Sequence, residues 1–285
     1  MNGFFVALKS EMFIARHTLS SKLIVIAPAL IIILQNLLLW VTTTGQEARD
    51  NLLGNTSFDE VVSINAYGYF VDSMSTGLTI LGLVLTAQAA YSFSYERDTG
   101  LVRHLLIRRV SRAALMLAKL VYLHFLALIS FVVSLIAAYI FSGMFWEFGP
   151  IVEDGFELIS EAEILAEINT GLQLAMAPFP AAIAFGLLVS VCSQSATQAV
   201  TTALGFTLAV DIFKSMLGDY ANFLYARFQP SLIDASYLQD VSRIVRGYSD
   251  VLVDEEVLQM NLWVPIPAVI IFLVVIFFAI HRKNI

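Results

Sequence analysis

The sequence predicts an all-α, polytopic membrane protein with six transmembrane helices, and its composition carries this prediction. Apolar residues make up 58% of the chain and charged residues only 14%, with a mean hydropathy of +0.79. That composition leaves too little polar surface to cover a water-soluble globule. The apolar residues also cluster into runs of about 20 residues, the length that crosses about 30 Å of hydrocarbon. A soluble globular protein is therefore excluded, and we expect no nucleic-acid partner.

The apolar runs predict the positions of the spans and of the segments between them. We place the six spans at about 23–41, 71–93, 114–142, 173–193, 198–216 and 262–280. Three long loops lie at 42–70, 143–172 and 217–261, and a shorter segment at 94–113 joins spans two and three. The whole chain, 1–285, is thus expected to form a single transmembrane domain. Before span one, apolar residues at helical spacing predict an amphipathic helix in the membrane interface. These residues are Phe5, Leu8, Met12, Ala15 and Leu19.

Two of the three long loops are predicted to contain helices of their own. The loop 143–172 carries seven acidic residues and no Lys or Arg. Apolar residues at helical spacing predict an amphipathic helix there with an acidic outer face. They are Phe156, Ile159, Ile164 and Ile168. A second apolar series, which steps by three and four, predicts a helix within 217–261. It consists of Leu238, Val241, Val245, Tyr248 and Leu252.

The basic residues are unevenly distributed, and their distribution predicts which span ends face the cytoplasm. Eleven of the 16 Lys and Arg residues fall before span one, in or next to the segment 94–113, or after span six. Only Glu11, Glu96 and Asp98, of the 23 acidic residues, share those segments. Because Lys and Arg are retained inside, we place both termini and the segment 94–113 in the cytoplasm. The expected location is the plasma membrane, which in a bacterium is the inner membrane.

The sequence contains no motif for catalysis or metal binding. The patterns GxxxxGK[ST], HExxH and GxSxG are all absent. The four His residues are scattered, and the single Cys192 offers no Cys pair for a metal. We therefore expect no catalytic residue, no metal and no cofactor in this chain.

Six polar residues lie within or at the ends of the predicted spans, where burial in lipid is costly. Such residues either border a substrate pathway or form hydrogen bonds and ion pairs between helices, and both interpretations remain open. Asp211 and Lys214 lie three residues apart on one helix face and are expected to neutralise each other. The full set is Gln35, Asn36, Asp72, His124, Asp211 and Lys214.

The segment 94–113, which we call the connector, is the most cationic part of the chain. It contains five Arg residues, and Lys119 lies just inside the next span. Its pattern predicts a short helix with Leu101, Leu105 and Leu106 on one side and Asp98 or Thr99 at the N-cap.

The connector resembles the cytoplasmic loop of membrane subunits in the type-2 ATP-binding-cassette (ABC) exporter family. There, a small residue and Ser close span two, and Glu-Arg-x-x-Gly-Thr, a Leu-Leu pair, Pro-x-Ser-Arg and a Lys in span three follow. In this chain Thr99 precedes Gly100 rather than following it, and Arg109 stands where Pro is usual. The residues that match in order are Ala90, Ser94, Glu96, Arg97, Gly100, Leu105, Leu106, Ser111, Arg112 and Lys119.

The resemblance implies a permease subunit without catalytic activity of its own. It implies that the connector forms a coupling helix, which docks into a cleft on a separate ABC ATPase subunit that binds ATP and Mg²⁺. It further implies a homodimer, or a heterodimer with a related permease, embedded in membrane lipid. We expect Glu96 to pair with Arg97, Arg103 or Arg112 and so to hold the angle of the coupling helix. The residues expected to take part in coupling are Glu96, Arg97, Gly100, Arg103, Leu105, Leu106, Arg108, Ser111, Arg112 and Lys119.

Two other functions remain open at the level of sequence. One is a mechanotransmission or scaffold subunit that works with the same kind of ATPase and acts on an outer partner through the loops 143–172 and 217–261. The other is an ion-coupled carrier, although the sequence shows no inverted repeat of the kind that many carriers contain.

Overall fold

The computed structural model describes residues 3–53, 65–102, 110–153, 156–231, 236–248, 251 and 254–282. Within these residues, six helical segments are long and apolar enough to cross a membrane. They are Leu19–Asp50, Ala66–Asp98, Arg112–Phe145, Glu161–Cys192, Ala196–Phe223 and Glu255–Arg282. The chain is thus an all-α polytopic membrane protein, as the sequence predicts.

Ten α-helices and one two-stranded hairpin make up most of the described residues. In chain order the helices are α1 (Gly3–His17), α2 (Leu19–Leu53), α3 (Ala66–Asp98), α4 (Arg112–Phe145), α5 (Glu161–Met176), α6 (Phe179–Cys192), α7 (Ala196–Leu217), α8 (Tyr237–Ile244), α9 (Glu255–Trp263) and α10 (Pro265–Arg282). Two 3₁₀ turns, Gly218–Phe223 and Tyr225–Phe228, follow α7. The strands β1 (Ile151–Glu153) and β2 (Phe156–Ile159) pair antiparallel, with Ile151 opposite Ile159.

The helices are longer than the predicted spans, and span four is assembled differently from the prediction. Helix α2 continues to Leu53, into the predicted loop 42–70. Span four consists of α5 and α6, which meet at Ala177 and Pro178, and Pro180 lies in the first turn of α6. Proline has no backbone N–H and is tolerated in a first helical turn, so the chain ends one helix and begins another there.

Spans two and four form the centre of the bundle. In their most apolar stretches 67% and 72% of the residues are buried, against 17–39% in the other four spans. Small residues allow α3 and α6 to approach closely. A Cβ added at Gly186 would lie 2.7 Å from both Ala89 Cβ and Thr86 O. Since lipid provides no hydrophobic drive between helices, such close packing is a main source of stability for a membrane bundle.

Spans one and three pack through a stripe of small residues on α4, spaced four apart. This stripe consists of Ser130, Ser134, Ala138 and Ser142, all fully buried. Ser130 Oγ donates to Ile24 O at 2.8 Å, and Ser142 Oγ donates to Asn36 Oδ1 at 3.2 Å. Hydroxyl groups that bond across helices in this way hold two spans together in a bilayer.

The end of the bundle where α3 ends and α4 begins is called the connector end below, and the other is the distal end. At the distal end, β1, β2, α5 and α8 form a cap. Ile164 and Ile168 of α5 are buried, as the predicted amphipathic helix requires, but Phe156 and Ile159 lie in β2, and Phe156 is 75% exposed. The helix predicted in 217–261 is present as α8, on which Leu238 and Val241 are buried, but it ends at Ile244. Tyr248 lies beyond it, and Leu252 lies outside the described residues.

Polar contacts fasten this distal cap to α3. Tyr67 donates to Glu161 of α5, and Asp72 accepts from Ser242 and Arg246 beside α8. Within the cap, Tyr237 donates to Glu167 at 2.8 Å. Burial, helped by the Glu167 carboxylate, raises the pKa of Tyr237 above its usual value, so this phenol remains a hydrogen-bond donor at alkaline pH.

Candidate coupling site

A buried ionic cluster joins three helices at the connector end. Lys119 Nζ lies 2.7 Å from Glu11 Oε1 and 2.6 Å from Glu96 Oε1, and its side chain is 1% exposed. The three residues belong to α4, α1 and α3, respectively. Removing charges from water is costly unless they are paired and hydrogen-bonded, and this cluster meets both conditions at the ammonium group. We call Glu11, Glu96 and Lys119 the coupling triad.

The coupling triad carries two carboxylates for one ammonium group. Glu96 Oε2 is buried and has no hydrogen-bond partner among the described residues. A cavity of about 190 Å³ adjoins the triad and is lined by hydroxyl and phenol groups as well as by its three members. The hydroxyl-bearing residues of the lining are Thr18, Ser20, Ser21, Tyr91, Ser92, Tyr95 and Tyr122.

The expectation that Glu96 pairs with a connector arginine is wrong for the two arginines that the structure describes. Arg97 Nη2 lies 3.4 Å from Asp98 Oδ1 instead, and Arg112 Nη1 donates to Ile280 O at 3.1 Å. The cause is helical geometry, because adjacent residues on α3 point in different directions. Glu96 faces the interior towards Lys119, whereas Arg97 points away from it.

Asp98 and Thr99, the predicted N-cap residues of the coupling helix, make other contacts among the described residues. Asp98 Oδ2 accepts a hydrogen bond from Ala196 N, the first residue of α7, at 2.8 Å. Thr99 Oγ1 donates to Tyr95 O, one turn back on α3, at 2.9 Å. The Asp98 carboxylate thus satisfies a free N–H at the start of span five, where the helix dipole also favours negative charge.

The two ends of the connector have defined geometry. Gly100 follows the end of α3 with φ +76°, a left-handed conformation that glycine adopts without strain and that ends the helix. Ser111 caps α4 by accepting from Ala114 N at 3.1 Å. Val102 and Val110 are both buried.

Contacts therefore tie the connector ends to helices from across the bundle. The triad reaches α1, Asp98 reaches α7, and Arg112 reaches the end of α10. Because these contacts are made at the connector end, α1 and the last turn of α10 lie at the same end of the bundle. The predicted coupling residues Arg103, Leu105, Leu106 and Arg108 lie outside the described residues.

The intramembrane polar residues form separate clusters rather than one constellation. Lys214 Nζ lies 2.9 Å from Asp211 Oδ1, and Ser231 bonds to both, so the predicted pair forms. Asn36 bonds to Ile32 O and Ser142, and Asp72 belongs to the distal cap. His124 Nδ1 lies 2.7 Å from Leu120 O on its own helix, and Gln35 Oε1 is buried without a partner among the described residues.

Two residues that form buried or partly buried ion pairs were not predicted from the sequence. Glu11 does not belong to the apolar stripe that is predicted before span one, yet it is 5% exposed and binds Lys119. Lys119 itself was a signal, since a cation inside an apolar helix requires an acidic partner and few acids lie nearby in sequence. Arg246, the partner of Asp72, is 174 residues away and gave no local signal. Among the described residues, no group of three His, Cys, Asp or Glu side chains is arranged to hold a metal.

The chain matches a described protein family over about two thirds of its length. No curated protein and no solved structure matches the chain. A protein family described as ABC-2 family transporter protein matches residues 19–209, about two thirds of the chain. The match includes spans one to three, the connector, span four and most of α7. Members form the membrane component of ABC transporters, which is not itself catalytic and generally works with a separate ATPase subunit. The chain therefore belongs to the ABC-2 transporter family and is an ABC permease subunit.

Proposed function

We propose that this permease works as a dimer in an ATP-driven exporter and receives force from a separate ATPase subunit through the connector. ATP and Mg²⁺ bind to the ATPase, while this chain supplies half of the membrane pathway. Eleven of the 16 basic residues cluster at or near the connector and the chain ends, which supports a cytoplasmic connector end. The proposed location is the bacterial inner membrane, with both termini in the cytoplasm.

The observation that carries this proposal is the attachment of the connector ends to several spans. An element that transmits force must be rigid and joined to the parts that it moves. The coupling triad fixes α3 against α4 and α1, and Asp98 and Arg112 add contacts to α7 and α10. A push on the connector therefore acts on five helices together rather than on one loop.

Span five supplies the surface that we assign to the dimer interface and the pathway. The exposed side of α7 includes Thr201, Thr202, Gly205 and Ser215, at which polar or very small groups face outwards. Polar groups on a membrane helix generally face protein or a water-filled cavity rather than lipid. We therefore place this face opposite a second permease, with substrate passing between the two subunits when the ATPases close.

The direct test is a pull-down in mild detergent. Tagged permease is co-expressed with the ATPase that is encoded beside it, as wild type and as the Arg103→Glu/Arg108→Glu variant. The matched control is Lys9→Glu/Arg282→Glu, which reverses two exposed charges outside the connector. We expect stoichiometric recovery of the ATPase with the wild type and the control, and reduced recovery with the connector variant. If the well-folded wild type recovers no ATPase, the proposal is overturned and the ion-coupled carrier becomes the favoured function.

One observation favours a second candidate function, the mechanotransmission subunit. On the β1–β2 hairpin of the distal cap, Val152, Phe156 and Leu158 are 50%, 75% and 52% exposed. Exposed apolar residues on such a ribbon suit contact with another protein. If this function is correct, a Phe156→Ser/Leu158→Ser variant loses an outer partner in crosslinking while ATPase binding remains. If the exporter is correct, the same variant retains export.

A further inference from the structure

A groove of about 540 Å³ lies at the connector end, between α1, α2 and α4. Val25 and Ile26 of α2 line one wall, and Phe125 and Ile129 of α4 line the other. Ile26 is 53% exposed and Phe125 is 46% exposed, so the groove opens towards the bilayer rather than into the bundle. In shape and lining it suits an acyl chain.

Two basic residues, Arg16 and Lys22, also line this groove. They belong to the last turn of α1 and the first turns of α2, so they lie at its connector end. Both are exposed, and neither forms an ion pair with an acid of the described residues. Glu11, the acid of α1, is already bound to Lys119.

We propose that this groove is a binding site for one anionic phospholipid. Its phosphate group lies between Arg16 and Lys22, and one acyl chain runs along Val25, Ile26, Phe125 and Ile129. The two cations lie at the membrane boundary, next to the apolar groove. This arrangement favours a lipid that combines a negative charge with a hydrocarbon chain. Basic residues near a bilayer surface each attract anionic headgroups appreciably, and two of them favour an anionic over a zwitterionic lipid.

The lipid site shares a wall with the coupling triad. Ala15, Ser21 and Tyr122 line both this groove and the 190 Å³ cavity beside Glu11, Glu96 and Lys119. Ser21 Oγ and Tyr122 Oη are hydrogen-bonded at 2.7 Å and form part of the wall. Since Arg16 and Glu11 lie on the same short helix, a lipid that holds Arg16 also holds Glu11 against Lys119. Anionic lipid thereby stabilises the attachment of α1 to the connector end.

Native mass spectrometry of the purified full chain in detergent tests this site. The probes are phosphatidylglycerol, phosphatidylcholine with the same acyl chains, and soluble glycerol phosphate. We expect one tightly bound phosphatidylglycerol per chain, weaker phosphatidylcholine, and no competition by glycerol phosphate. In Arg16→Gln/Lys22→Gln the affinity for phosphatidylglycerol should fall about 25-fold, since each basic residue contributes roughly fivefold. The control Lys9→Gln/Arg282→Gln removes two charges elsewhere and should bind as the wild type does.

A second variant tests the slot separately from the charges. Ile129→Trp fills the groove and retains Arg16 and Lys22, so it should weaken phosphatidylglycerol binding without abolishing the preference for negative charge. Equal binding of the two lipids to the wild type would overturn the proposal, as would an unchanged preference in the Arg16→Gln/Lys22→Gln variant. Displacement of the lipid by glycerol phosphate would also overturn it, because the site would then bind any phosphate. Should the double variant aggregate, the single variants Arg16→Gln and Lys22→Gln give the same test at about fivefold each.

Discussion

Lys119 Nζ lies 2.6 Å from Glu96 Oε1. The two residues are 23 positions apart in the sequence, and most of the connector lies between them. This single contact closes the base of the connector, because Glu96 lies in the last turns of α3 and Lys119 in the first turns of α4. Glu11 completes the coupling triad from a third helix. The coupling triad thus sets the separation between the helices that enter and leave the connector.

Replacing Lys119 with Met should be strongly destabilising. The variant leaves the Glu11 and Glu96 carboxylates buried beside each other without a cation, and breaking a buried pair in this way costs about 3–5 kcal/mol. Thermal unfolding in detergent, with Lys9→Met as an exposed control, measures the loss. Glu11→Gln should cost much less, because Lys119 and Glu96 remain paired. Equal loss in Lys119→Met and Glu11→Gln would contradict the role given to the ammonium group.

The triple variant Lys119→Met/Glu11→Gln/Glu96→Gln separates charge from packing. With no net charge left in the site, stability should recover most of what Lys119→Met alone loses. A triple variant as unstable as Lys119→Met would instead show that the shape of the lysine side chain is what matters.

Replacing Asp98 with Ala should loosen the start of α7. The carboxylate accepts from Ala196 N at 2.8 Å, and loss of such a cap typically costs about 1 kcal/mol. Hydrogen exchange followed by mass spectrometry should show roughly fivefold faster exchange in the first turn of α7, since 1.4 kcal/mol corresponds to tenfold. As a control, Glu163→Ala breaks the capping box of α5 and should speed exchange at α5 alone. Unchanged exchange at α7 in Asp98→Ala would rule out the cap.

Two glycine substitutions should have opposite effects. In Gly186→Ala the new Cβ would lie 2.7 Å from Ala89 Cβ and Thr86 O, so α3 and α6 must separate at a cost of about 1–3 kcal/mol. In Gly45→Ala nothing lies within 4 Å of the new Cβ, and α2 should gain up to about 1 kcal/mol of helix propensity. Unfolding temperatures of the two purified variants should therefore move in opposite directions. A lower unfolding temperature for both would show that the space around Gly45 is not open.

The spans were predictable from sequence because hydropathy and length are local properties. The Asp211–Lys214 pair was predictable for the same reason, since both residues lie on one turn of one helix. The partner of Glu96 was not, because the choice between Arg97, Arg112 and Lys119 depends on which face of α3 meets α4. Asp72 illustrates the limit most clearly, since its partner Arg246 lies in the turn after α8, and the docking of that segment is a tertiary property.

The apolar stripe predicted before span one also gave no indication that Glu11 is buried. A stripe on a short helix indicates which side avoids water, but it does not indicate whether the other side faces water or protein. Here Ala7 and Glu11 face protein, while Phe5 and Phe13 are 60% and 64% exposed. The burial of Glu11 is better predicted from the charges near the connector, because Lys119 requires an acidic partner there.

Helix α3 is a continuous link between the two ends of the bundle. Its 33 residues contain no proline and extend about 50 Å, from the distal cap at Tyr67 and Asp72 to the triad at Glu96. Span one has Pro28 within its helix, and span four is divided at Pro178 and Pro180, so both can bend where span two cannot readily do so. If α3 were tilted at the connector, its distal end would therefore be displaced by a comparable distance. Under the proposed function, the connector end and the distal cap would therefore move at the same time.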